Sequence, residues 1–227
     1  MTPPMAVAVG RELVASYGSF LFFARLAPNL LLVACTLLDP WAGLLGLAAG
    51  LVTLLTRRVL SLPSAGGMEG GNGMLAGLFL GGVFAPSWAS AVLAVAAGPL
   101  TMMVALFASD LLARGRLPLL SGAFVPVAWL LTGVGHALAL PLRVWPAEAP
   151  VDWLALPVQD FLRAVGGIYL TPTCVGGALV LAALAWSSRT MVLLTVLGFG
   201  AARLTSAGLL GLPAALPASG AAATAGI

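Results

Sequence analysis

The chain has 227 residues, of which 61% are hydrophobic and only 7% charged, with a formal net charge of +3. A water-soluble domain carries roughly 25% charged residues, so this chain cannot cover a water-facing surface and reads as an integral membrane protein. Its ten basic residues are dispersed arginines without a single lysine, which excludes a nucleic-acid-binding patch.

The first dozen residues hold Arg11 and Glu12, and no clean cleavage pattern comes after them, so no secretory signal is read there. A membrane helix needs about 20 mostly apolar residues. The apolar runs predict spans over 19–38, 41–56, 88–109, 118–140, 161–187 and 190–212. The second is bounded by Pro40 and by Arg57–Arg58. Between it and the third lies "GGMEGGNGMLAGLFLGG", Gly66 to Gly82. Glycines precede and surround Asn72, and the run is apolar after it, so 66–86 predicts a loop at membrane depth and then a helix. Asn72 is placed to cap that helix. Glu69 is a functional candidate by virtue of its depth, or else a solvated side chain at the cytoplasmic edge. Gly73, Gly77 and Gly81 recur every four residues and read as a face for close packing.

"GRLPLLSGAFVPVAWLL", Gly115 to Leu131, is the second notable segment. Leu117–Pro118 starts a span, Ser121 offers a hydroxyl, and Pro126 predicts a freed carbonyl within the span. Ser121 with loose carbonyls forms a column of acceptors in this reading. Phe20, Phe22, Phe23, Phe124 and Tyr169 supply flat apolar walls, with packing or lipid contact as the alternative for each. Such a slot suits a small planar neutral molecule with N–H donors. Cys35 and Cys174 read as buried free thiols, and His136 as a packed or interfacial histidine, with a proton relay as the alternative. Acids scattered among loops with one histidine make neither a metal site nor an enzyme, and no phosphate-binding glycine-lysine motif supplies energy coupling. No cofactor is implied.

The arginines sort by the positive-inside rule. With Arg11 cytoplasmic, Arg57, Arg58, Arg114 and Arg116 fall on the same side if 66–86 and 88–109 go out and back, and Arg189 joins them if 161–187 runs inward. The layout is five crossings, an outer linker and two further crossings, with Arg25 and Arg203 as exceptions inside spans. An odd number of crossings inverts the second copy of a repeat. At an offset of 148, "YGSFLFF" (17–23) meets "VGGIYLT" (165–171), and 28–51 meets 176–199 in the pattern of its apolar runs. The predicted fold class is therefore an all-α, polytopic membrane protein built as an inverted repeat.

Three segments carry a resemblance. "GGMEGGNGMLAGL" (66–78) resembles the Gly-Leu-Tyr-Gly-Tyr-Asn-Gly motif of urea transporters. "LPLLSGAFV" (117–125) is similar to their Leu-Pro-x-x-Thr-x-Pro-Phe motif, and 161–189 resembles the opening of their second half. The resemblance implies a channel-like passive conduit for urea in the bacterial inner membrane, with two inverted halves, a re-entrant pore helix in each, and assembly as a homotrimer. It places Glu69, Gly70, Asn72 and Gly73 in the first pore segment, Ser121 in an acceptor ladder, and Phe124 at the motif's aromatic, with Phe20 and Tyr169 beside the pathway. It divides the chain into a first repeat over 1–140 with the pore segment at 66–82, an extracytoplasmic linker over 141–158, the start of the second repeat over 159–212, and an Ala/Pro/Gly-rich tail over 213–227. The departures are specific. The motif's two tyrosines are Glu69 and Gly71, its proline is Ala123, and a glutamine expected in each half is Ser19 and Gly167. The second glycine-asparagine motif belongs near 214–221, where the sequence reads "AALPASGA", so the second repeat is expected to be incomplete. The alternatives are a non-conducting pseudo-transporter or partner subunit, and a solute such as ammonia or a short amide.

Overall fold

The structure is a computed structural model that describes residues 5–21, 23, 25–62, 68–115, 119–144 and 149–209. The tail from 210 onward, and with it the expected site of a second motif, lies outside the described residues, as do Phe22, Leu117 and Pro118. The described residues are mostly helical, in the order α1 Met5–Gly18, α2 Leu26–Thr36, α3 Pro40–Val59, α4 Met68–Val83, α5 Trp88–Arg114, α6 Phe124–Ala137, α7 Leu156–Gly166, α8 Cys174–Ser187 and α9 Arg189–Leu209. Two 3-10 turns, Ser19–Leu21 and Gly167–Tyr169, come after α1 and α7.

Local chemistry starts and stops these helices. Asp39 accepts from the Ala42 N–H and Pro40 occupies the first position of α3, while Arg57 and Arg58 fall in its last turn, complementing the helix dipole. Ser87 and Ser90 form a reciprocal capping box at the start of α5. Thr173 caps α8 through the Gly176 N–H.

Helices α3 and α5 are long and apolar enough to cross a membrane, and two bent pairs add to them if each counts as one span. The chain turns by 89° between α1 with its 3-10 turn and α2, and by 73° between α7 with its turn and α8. The runs 19–38 and 161–187, each predicted as one span, are thus both broken. At the second break Leu170 adopts φ 57° and Thr171 donates its backbone N–H back to the Gly166 carbonyl. The helix over Met5–Gly18 lies largely before the first predicted span.

α4 is the centre of the first half, with twelve of its sixteen residues buried. Of the predicted loop before Asn72, residues 66 and 67 lie outside the described residues and 68–71 are helix instead: glycine disfavours helix by about 1 kcal/mol each, but here the missing side chains admit neighbouring backbone. A Cβ at Gly81 would meet the Ala42 Cα at 2.5 Å, and one at Gly77 would overlap the Leu45 carbonyl. In lipid, where apolar side chains gain little by leaving acyl chains, such close van der Waals packing is what holds helices together. The packing reading of Gly73, Gly77 and Gly81 holds.

Two polar clusters mark the ends of this bundle. At one, Arg143 reaches Asp39 at 2.6 Å and the Gly81 carbonyl at 2.9 Å, and Ala85 donates to the Pro141 carbonyl. At the other, Arg57 bonds Glu69 at 2.7 Å and also pairs with Glu12, while Arg58 holds Glu12 at 2.8 Å. α3 starts at the Asp39 end and finishes at the Arg57 end, and α4 runs back the other way. Arg203, in α9, pairs with Asp160 at 3.5 Å and lies over the Phe199 ring, so it faces protein. Cys35 and Cys174 are buried and form no disulfide. The His136 ring meets Phe84 edge-on at 6.0 Å.

Candidate solute site

The two 3-10 turns come together against the middle of α4 and the start of α6. They enclose a cavity of about 400 Å³ lined by Phe20, Leu75, Leu120, Ser121, Phe124, Val125 and residues Gly167 to Leu170. The lining is mostly apolar. Of its two hydroxyls, that of Tyr169 is committed to the Tyr17 carbonyl, a bond that ties the second 3-10 turn to the end of α1. Ser121 is exposed and supplies the other.

Four of the eight predicted site residues therefore share one cavity: Phe20, Ser121, Phe124 and Tyr169. The other four lie behind it on α4. Asn72 does not cap α4, since it sits in that helix's second turn. Its Nδ2 donates to the Met68 carbonyl at 2.8 Å and the Leu120 carbonyl at 2.7 Å, and its Oδ1 accepts the Phe124 N–H at 2.8 Å. It caps α6 from another helix, because the first N–H of a helix has no intrahelical acceptor. The bond to Leu120 also holds a non-glycine residue at φ 42°, on the cavity rim.

Glu69 is fully buried beside Arg57 and does not line the cavity. It is neither solvated nor in the slot. A carboxylate in that place is held by the opposite charge, which offsets the cost of its desolvation. Gly70 admits the Ser16 hydroxyl and Leu54, and Gly73 admits Thr53 of α3. Both serve packing in this geometry.

The predicted acceptor column is shorter than expected. The carbonyls of Leu119, Leu120 and Ser121 accept from Gly122, Asn72 and Phe124 respectively. Pro126 falls in the first turn of α6, so the carbonyl it leaves without a donor four residues on belongs to Gly122, in the turn before the helix. Ser19 donates to the Ser16 carbonyl, and Gly167 has no side chain, so neither offers an amide to the cavity where a glutamine was expected.

Sequence reasoning missed Leu75, Leu120, Val125, Ile168 and Leu170 in the lining, which have no signature beyond being apolar. It also missed Gly71, where a Cβ would meet the Phe20 ring at 2.6 Å. The bare backbone there seats Phe20 at the cavity wall. Phe124 is braced on its far side by Phe79, edge-on at 6.0 Å. Among the described residues no cluster of histidine, cysteine and acids could hold a metal ion.

No curated protein matches the chain. Residues 13–222 match the family model described as "UT: Urea transporter", a span that includes every residue of this cavity, and the chain accordingly belongs to the urea transporter family of membrane proteins.

Proposed function

We propose that the chain conducts urea, or a similarly small neutral amide, passively through the cavity between the two 3-10 turns. Family membership makes it a transporter and not an enzyme. The observation that carries the finer reading is the cavity itself: about 400 Å³ walled by Phe20, Phe124 and Tyr169, with the Ser121 hydroxyl at its edge. A flat neutral solute gains contact with ring faces on entry, and one or two hydrogen bonds keep its affinity low enough to leave. Among the described residues no ionisable group other than the committed Tyr169 hydroxyl lines the cavity, which supports downhill movement without a coupled ion.

The inverted-repeat reading draws support from element positions. The 3-10 turns start at 19 and 167, and α2 and α8 start at 26 and 174, each pair 148 residues apart. In each half an acid of the first helix pairs with an arginine of the third, Glu12 with Arg57 and Arg58, Asp160 with Arg203. The Arg57 end is taken as cytoplasmic, in a bacterial inner membrane, by the positive-inside rule. Assembly as a trimer rests on the family resemblance. A non-conducting relative or partner subunit is the second reading, favoured by Ser19 and Gly167 standing where glutamines were expected.

Uptake of labelled urea into proteoliposomes without any ion gradient separates the two. Uptake above empty vesicles that stops at equal concentrations supports passive conduction. Uptake that needs a proton or sodium gradient, or none at all, contradicts it.

A further inference from the structure

The two halves treat one helix crossing differently. Gly177 of α8 lies on the Leu162 carbonyl of α7, where a Cβ would overlap it. The residue 148 positions earlier is Asn29 of α2, whose Oδ1 rests against Gly18. α1 and α2 are thereby held apart, and a second cavity of about 300 Å³ opens, lined by Arg11, Glu12, Ala15, Leu26 and Asn29. It lies beside the Arg57 end of the bundle, because Glu12 is the partner of Arg57 and Arg58.

We propose that this cavity binds a phosphate group, presented by an anionic lipid head group or free in solution. Asn29 is only 2% exposed, and its Oδ1 has no hydrogen-bond partner. With Oδ1 against Gly18, the Nδ2 donors are left to the cavity, where an amide without a partner costs on the order of the lost hydrogen bonds. Arg11 is exposed at the mouth and makes no ion pair among the described residues. Glu12 is paired with Arg57 and Arg58, which between them balance it and Glu69. α2 begins at this cavity with Leu26, and Arg25 does not cap it, so the N–H groups of Leu26 and Ala27 (Pro28 has none) and the positive dipole end are without a side-chain cap. Arg25 is exposed beside them. Leu26 and Leu30 stand exposed one turn apart on α2, an apolar track for acyl chains below a bound head group.

The test uses the full chain in uncharged detergent, its melting monitored by tryptophan fluorescence. Phosphatidylglycerol, phosphatidylcholine, sodium phosphate and sodium chloride of equal ionic strength are added separately. A ligand at ten times its dissociation constant raises the midpoint by about 3–5 °C in a chain of this size. Phosphatidylglycerol is expected to do so and phosphatidylcholine not, with affinity reduced about tenfold in Arg11→Gln, the loss of one charge-assisted bond. Asn29→Asp, which keeps the shape but adds repulsion, should lose the effect as well, and Asn29→Gly likewise if it folds. If sodium phosphate alone gives the same Arg11-dependent rise, the site takes free phosphate; if only the lipid does, it takes a head group. No rise with either, an equal rise in Arg11→Gln and Asn29→Asp, or equal loss in the remote control Arg114→Gln would overturn the proposal.

Discussion

The Asn72 carboxamide, in the second turn of α4, accepts the first N–H of α6 from Phe124 at 2.8 Å while donating to the Leu120 carbonyl at 2.7 Å. One side chain thus sets where α6 begins, holds Leu120 in a left-handed conformation and aims Phe124 at the cavity. Replacing it with Ala takes away the donor to the Leu120 carbonyl and leaves the Phe124 N–H only its longer bond, 3.1 Å, to the Ser121 carbonyl, at about 1 kcal/mol for each bond lost. Asn72→Ala is expected to lower the melting midpoint and the urea flux together. Asn72→Asp keeps the acceptor but sets a buried carboxylate oxygen against the Met68 and Leu120 carbonyls, so it should lose at least as much as Asn72→Ala. Melting in detergent and flux in vesicles, read on both variants, check the order.

Arg57 joins α1, α3 and α4 through Glu12 and Glu69. Removing one member of a buried ion pair costs about 3–5 kcal/mol, because the charge left behind has no counterpart. Arg57→Leu should strand Glu69, which is fully buried, and fold poorly. Glu69→Gln leaves Arg57 with Glu12 and keeps an acceptor, so its loss should be clearly smaller. Denaturation of each variant in detergent gives the ranking; a loss in Glu69→Gln equal to that in Arg57→Leu would contradict this, because neutralising Glu69 would then cost as much as stranding it.

Gly71 and Gly77 are one face apart on the same helix and should fail differently. At Gly71 the tightest obstacle to a Cβ is the Phe20 ring at 2.6 Å, which can move toward the cavity, while the Ser16 backbone carbonyl at 2.9 Å needs only a small shift. Gly71→Ala is expected to fold and to conduct less. At Gly77 the obstacle is the Leu45 backbone carbonyl, which cannot yield without parting α3 from α4. Gly77→Val should not yield folded protein, as judged by a monodisperse peak on size exclusion.

The Tyr169 hydroxyl donates to the Tyr17 carbonyl and bridges the second 3-10 turn to the end of α1. Tyr169→Phe keeps the ring at the cavity and removes the bridge. A cost near ~1 kcal/mol is expected in stability, with conduction largely retained. Tyr169→Ala removes the wall too, so flux should change much more than in Tyr169→Phe.

The apolar runs read α3 and α5 to within a few residues, since a long lipid-compatible run has few competing interpretations. The bends between the first 3-10 turn and α2 and between the second and α8 were not legible, because Arg25 reads as one charge inside an apolar run and both bends depend on partners elsewhere in the chain. α1 was missed for the same reason: Arg11 and Glu12 look like a water-exposed start until Arg57 and Arg58 are seen to claim Glu12. Glycine content predicted a loop where packing against α3 makes a helix. Asn72 was recognisable as a capping residue, but sequence could not say that the helix it caps lies 52 positions away. Phe20, Ser121, Phe124 and Tyr169 converge as their chemistry suggested. Glu69 looked like a site residue because a buried acid is costly, and its partner Arg57 is what removes that inference.

Whether the cavity between the 3-10 turns is the solute path is tested most directly by blocking it. Stopped-flow shrinkage and recovery of proteoliposomes under a urea gradient would be compared for the unmodified chain, for Ser121→Trp in the cavity wall, and for Leu111→Trp on the exposed face of α5. Urea permeability well above empty vesicles in the unmodified chain and Leu111→Trp, with Ser121→Trp at the empty-vesicle rate while still folded, is the predicted result. Undiminished conduction by Ser121→Trp, or none by the unmodified chain, would contradict it.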